Sequence, residues 1–205
     1  MKITSIEKQK KEGRYNIFLD GEFAFGLYKE TIYEFGLRIN DELDAKKSEE
    51  IRTRDEIGFA KRVAYRFLNY KQRSEKEVRK KLKEKKISEK TIDLVISSLK
   101  DLNYLNDESY AKLYLQSKIL RKPEGKRVLK MKLAEKGIPK EVADKIITEQ
   151  YTPETETQKA AELLKKYEKK VRAKTEQEKK QKCYRYLISK GFDFDTVNAV
   201  IKPVE

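Results

Sequence analysis

Histidine is absent from all 205 residues and cysteine occurs once, at Cys183. Those two scarcities close off much chemistry. Structural zinc sites, Cys/His pairs, Ser-His triads and disulfide frameworks cannot be assembled from this chain. The eight glycines are scattered, with no Walker A sequence and no G-x-G-x-x-G between a strand and a helix, so no nucleotide cofactor is expected. No run of about 18 apolar residues exists. Residues 1–30 lack the basic stretch and apolar core of a leader, so a cytoplasmic protein without membrane contact is expected. Acidic residues are plentiful enough for a carboxylate-bound magnesium ion, but most are interleaved with lysine at helical spacing, as solvated ion pairs are. The expectation is no catalytic residue, no metal, no cofactor and no enzyme.

What is abundant is positive charge, 49 Lys and Arg against 35 Asp and Glu, for a formal net charge of +14. An excess of that size favours nucleic acid, or a partner that carries it. With 41% charged and 38% hydrophobic residues, several small modules in series suit the chain better than one large core.

Residues 1–55 stand apart, with 11 basic and 12 acidic side chains and the run "RYNIFLDGEFAFGLY". Asp20-Gly21 supplies the positive φ angles of a type I′ hairpin turn. Ile3 to Lys8 adds a third strand, and "KETIYEF" at 29–35 reads as a short helix stopped at Gly36. Phe18, Phe23, Phe25 and Tyr28 are assigned to the core of this small β domain, which needs its aromatics for burial more than for stacking on bases.

From about residue 56 the period becomes helical. "KLKEKKISEKTIDLVI" from Lys81, "KLAEKGIPKEVADKII" from Lys132 and "YLISKGFDFDTVNAVI" from Tyr186 then align at offsets of 51 and 54. Leu82, Leu133 and Leu187 correspond, as do Ile87, Ile138 and Phe192. Capping boxes at Ser74–Glu77 and Thr175–Glu178 start a second helix, and Ser88, Pro139 and Asp193 start a third. The expected architecture is mainly α: three tandem three-helix repeats at 56–107, 108–156 and 157–205, forming an elongated curved body after the β domain. Cys183 falls in register with Val78 and Leu129 and reads as a small buried hydrophobe. No sustained heptad points to a coiled-coil dimer, and a monomer is expected.

Residues 71–86, "KQRSEKEVRKKLKEKK", hold nine Lys or Arg, with Val78 and Leu82 as the only apolar residues. On a helix, Arg73, Lys76, Lys80 and Lys83 fall opposite that apolar pair, a stripe without an acid among its members. Arg79 and Lys130 share a register position, as do Lys76 and Arg127. "KILRKPEGKRVLKMK" at 118–132 repeats the pattern with Arg121, Lys122, Lys126, Arg127, Lys130 and Lys132 and a single acid, Glu124. The third repeat has Gln181, Tyr184 and Tyr186 at these places, so the anionic contact is assigned to the first two.

"RSEKEVRKKLKEK" at 73–85, "LKDLNYLNDESYAKLY" at 99–114 and "GKRVLKMKLAEKGI" at 125–138 resemble, in order and spacing, the RecX family of RecA regulators. The β segment is similar to an extension seen in some members. Lys86 departs from the pattern, standing where a glycine is common before the third helix. The resemblance implies tandem three-helix repeats and a non-enzymatic regulator. Such a protein would bind the RecA filament on single- or double-stranded DNA and restrain its ATPase, strand exchange and coprotease activities. The alternative is a RecA-independent, nonspecific DNA- or RNA-binding helical protein, since lysine-dominated helices suit phosphate more than base edges. A magnesium nuclease built on Asp93, Asp101 and Asp107 ranks third, because capping and exposure already account for those acids.

Overall fold

Strands β1 (Ile3–Lys8), β2 (Arg14–Leu19) and β3 (Glu22–Tyr28) form an antiparallel meander in the computed structural model, which describes residues 1–201. The turn between β2 and β3 is the expected one: Asp20 and Gly21 take φ of 49° and 88°, the doubly positive pair of a I′ turn. Helix α1 (Lys29–Glu34) follows and the chain reverses at Gly36, φ 61°. The core beneath the sheet is aliphatic, with Ile3, Ile17, Leu19 and Leu27 packing against Leu37, Leu43 and Ile51. The aromatics assigned to that core divide: Tyr28 is buried, Phe18 and Phe25 are half-buried, and Phe23 is exposed, edge-on to Phe18. Phe23 is the second residue of β3, beside the hairpin turn, where the sheet offers little to cover it.

Helix α2 (Ala45–Tyr70) begins well before residue 56, with the Asp44 carboxylate accepting the Lys47 amide as its cap. The shift in composition near residue 55 therefore lies inside a helix. Two of the buried positions in the first turns of α2 are polar, Ser48 and Asp55, and this masks its period. Asp55 Oδ1 accepts from the Tyr28 amide and from Thr31 Oγ1, both at 2.7 Å. One carboxylate thus satisfies the cap amide where β3 passes into α1 and the buried hydroxyl of Thr31.

Eight further helices follow among the described residues: α3 (Glu75–Glu84), α4 (Glu89–Asp101), α5 (Asp107–Arg121), α6 (Lys126–Glu135), α7 (Lys140–Gln150), α8 (Pro153–Glu168), α9 (Glu176–Ser189) and α10 (Phe194–Val200). With α2 they make three groups of three, mainly α after a small antiparallel sheet, as expected. By internal contacts the chain divides into two units, Met1–Lys71 with Val78–Tyr104, and Gln72–Glu77 with the residues from Leu105 onward. In the first, α2 packs against α4, and Val78, Leu82, Ile92, Val95 and Leu99 are buried. In the second, Leu115, Leu129, Leu133, Ile138, Ile146 and Tyr151 build one core. Ala160, Leu164, Cys183, Leu187, Phe192 and Val197 build another. Leu82, Leu133 and Leu187 are all fully enclosed, so the repeat register coincides with burial. Burial also pushes the Cys183 thiol up, the state of an inert packing residue.

Within the second unit, two helix ends meet. Gly125, the cap of α6, donates its amide to Lys190 O at 2.9 Å, and the Arg127 amide donates to Gly191 O at 3.3 Å. Two of the orphan donors opening α6 are thereby satisfied by carbonyls just past α9. A Cβ on Gly125 would stand 2.1 Å from Gly191 C, so only glycine allows this approach. The first turn of α3 makes a looser counterpart with the end of α6. There Gly137 faces Lys76, and the Glu77 carboxylate receives Lys136 Nζ at 2.7 Å.

Candidate nucleic-acid interface

Helix α3 owes its start to a reciprocal box: Ser74 Oγ accepts the Glu77 amide, and a Glu77 carboxylate oxygen accepts the Ser74 amide. At the start of α9, Thr175 accepts the Glu178 amide, but the return bond goes to the Lys174 amide. The apolar residues Val78 and Leu82 turn inward, which leaves Lys76, Lys80 and Lys83 exposed.

The structure sorts the basic residues into committed and uncommitted charges. Arg79 Nη1 meets Asp93 at 2.7 Å, and Lys130 Nζ meets Asp144 at 2.8 Å. These are the same ion pair in successive repeats: 79 and 130, like 93 and 144, differ by the 51-residue offset. The third repeat carries Tyr184 and Asn198 there and has no such pair. The Lys130 ammonium holds the Asp144 carboxyl below the usual carboxylate range. Lys83 is paired with Glu89, and Lys132 with Glu124. Lys126 is held at 3.0 Å by Glu156, a buried carboxylate that also accepts the Lys126 amide. Arg73 is half-buried beside Glu77, its Nε enclosed, and does not join an exposed stripe.

Lys76, Lys80, Arg121, Lys122 and Arg127 remain. All five are exposed and none makes an ion pair among the described residues. Arg127 instead donates to Ile188 O at 2.8 Å. Lys76 and Lys80 lie one turn apart on the outer side of α3. Arg121 and Lys122 close α5, and Arg127 stands in the first turn of α6. Sequence alone overstated the number of free charges, because the acids that neutralise Arg79 and Lys83 come from α4 and those that meet Lys126 and Lys130 from α8 and α7. A helical wheel of one segment cannot contain them.

The acids considered for magnesium do not converge. Asp93 is spent on Arg79, and Asp107 accepts the Glu75 amide at 2.9 Å. Among the described residues no group of three or more His, Cys, Asp or Glu is placed to hold a metal ion, and no helix is long and apolar enough to cross a membrane.

The chain matches four family models: the regulatory protein RecX N-terminal domain over residues 1–44, and the RecX first, second and third three-helix domains over 60–99, 106–146 and 154–201. It is 36% identical over 203 residues to the regulatory protein RecX of Leuconostoc mesenteroides subsp. mesenteroides, covering 99% of this chain and 76% of that one. It is 35% identical to the regulatory protein RecX of Clostridium beijerinckii, over 99% of this chain and 95% of that one. Crystal structures also resemble it, two of them as follows. One is of a regulatory protein RecX, with TM-score 0.75, 32% identity and coverage of 97% of this chain and 98% of that one. The other is of RecX from Lactobacillus salivarius, with TM-score 0.67, 30% identity and coverage of 72% and 95%.

Proposed function

This chain belongs to the RecX family of regulatory proteins, and from that premise we propose that it binds the RecA filament on DNA and restrains its ATPase, strand exchange and coprotease activities. The observation that carries the reading on this chain's own residues is the set of five uncommitted basic side chains, Lys76, Lys80, Arg121, Lys122 and Arg127, on two helical repeats. Lysine-rich and without ion pairs, they suit phosphate positioning and carry little base readout. Arg73, Arg79, Lys83, Lys126, Lys130 and Lys132, engaged within the protein, act in this scheme by orienting the helices and adding to the field.

The test measures DNA-dependent ATP hydrolysis by preassembled RecA filaments while this protein is titrated, with and without a large excess of bare DNA. Slowing at fewer copies than RecA protomers that persists in excess DNA is the expected result. Slowing that vanishes on adding DNA would reduce the chain to a nonspecific nucleic-acid binder. Replacing Arg127 and Lys122 with Glu weakens the effect by removing steering toward the anionic filament.

A further inference from the structure

A cleft of about 530 Å³ lies in the first unit, between the sheet, α2, and the segment joining α3 to α4. Arg14, Arg52, Lys85, Lys86 and Lys90 line it, and none of them belongs to the surface described above. Its acids are spent. Glu56 accepts from the Ser88 amide at 3.1 Å, Ser88 Oγ at 2.6 Å and Thr91 Oγ1 at 2.5 Å, filling the start of α4. Partial burial works to raise the Glu56 carboxyl, but the bonds from Ser88 and Thr91 outweigh it and hold the group below its usual range. Asp55 is occupied by the Tyr28 amide and Thr31, and Glu49 lies 3.7 Å from Arg52. Lys85, Lys86 and Lys90 are exposed and have no ion pair among the described residues.

Lys86 also occupies a backbone position that suits it badly. Its φ is 59°, in the left-handed region, where the equivalent residues of the next two repeats are Gly137 at 85° and Gly191 at 88°. A residue with a Cβ is disfavoured there and glycine is not. The chain keeps a strained lysine where its own sister repeats keep glycine, and that lysine lines the cleft. Strain retained at one site is a mark of use. The half-buried rings of Phe25 and Phe59 form an apolar wall, which a single strand with open base faces can meet and a duplex cannot.

We propose that this cleft is a binding site for the phosphodiester backbone of single-stranded nucleic acid, with Lys85, Lys86 and Lys90 as its phosphate contacts. It goes beyond the filament reading and does not rest on it, because it is tested without RecA.

The experiment uses the full chain and a fluorescein-labelled oligothymidylate, with binding followed by anisotropy across a salt series. Lys86→Gly removes one charge and relieves the strain together. Binding weakens by about fivefold at ~0.1 M salt, as the salt slope falls by up to about 0.7 for one lost contact to a single strand. The melting temperature rises at the same time, by about 2–4 °C. Lys86→Arg, which keeps the charge, restores binding. The double change Lys85→Gln with Lys90→Gln weakens binding further. A more stable Lys86→Gly protein that binds like the wild type would overturn the assignment, as would a Lys86→Gly protein that melts lower. Equal loss of affinity for poly-glutamate would assign the cleft to acidic protein and overturn it as well. None of these results touches the ATPase titration, so the two readings fail separately.

Discussion

Replacing Gly125 with Ala tests whether the meeting of α6 with the end of α9 is set by backbone contact. Gly125 has an ordinary φ of −71°, so alanine meets no conformational penalty at that residue. Its Cβ, however, would lie 2.1 Å from both Gly191 C and Gly191 O and 2.2 Å from Phe192 N, all of them main-chain atoms that no rotamer change can move. The two segments must part. Overpacking of this kind costs about 1–3 kcal/mol. Losing the Gly125 and Arg127 amide bonds adds roughly 1 kcal/mol each, for about 3–5 kcal/mol in all. Gly58→Ala is the matched control. Gly58 is inside α2, and a Cβ there would meet nothing within 4 Å; alanine in a helix interior gains about 0.8–1.0 kcal/mol. The same substitution is thus expected to act with opposite sign at two sites. Urea unfolding followed by far-UV circular dichroism reads both, and hydrogen exchange at the Arg127 amide reports whether the contact has opened. A Gly125→Ala protein as stable as the wild type, with that amide still protected, would refute the reasoning.

Four further outcomes follow from the ion pairs, the caps and the free lysines. Partial burial works to raise the Glu77 carboxyl, but bonds from Lys136 and the Ser74 amide, with the charges of Lys136 and Arg73, hold it below its usual value. Its folded pKa lies below the unfolded one, so its contribution is complete above about pH 4.3 and is lost as pH falls through the folded value. Unfolding free energy measured against pH therefore declines less steeply on the acid side in Glu77→Gln. Lys76→Gln with Lys80→Gln lowers the salt slope for duplex DNA by up to about 1.8 and leaves the melting temperature unchanged. Arg79→Gln lowers the slope less and costs about 0.2–1 kcal/mol of stability, because that charge is committed to Asp93. Asp55→Ala strands the Tyr28 amide and the Thr31 hydroxyl and costs roughly 2–3 kcal/mol, read by thermal unfolding.

Much of the fold was legible because it is written in local chemistry. Asp20-Gly21, the Ser74–Glu77 box, Ser88 and Asp193 each announce an element end through bonds made within a few residues. The repeat register was legible for a different reason: Leu82, Leu133 and Leu187 must all be dry, and apolar side chains at fixed spacing record that. The start of α2 was hidden because its buried face includes Ser48 and Asp55, and the partners of Asp55 lie elsewhere in the chain. The candidate surface was half legible. Which lysines exist is sequence; which are free depends on acids contributed by other helices, as Asp93, Asp144 and Glu156 do. The strained geometry of Lys86 was foreshadowed by its standing where the RecX family commonly has a glycine before the third helix.

The ends of the helices bear on how this protein would travel. Amides at the start of α3 go to Ser74 and Asp107, those of α4 face Ser88 with Glu56 beside it, and those of α6 go to Glu156 and to carbonyls past α9. These helix starts keep their amides for the protein itself, so a polyanion would be met there by side chains on long flexible stems. Such contacts have no fixed geometry to break when a phosphate is exchanged for its neighbour. A chain held this way can hop and slide along the polymer in search of its place, with residence set by ionic strength more than by position.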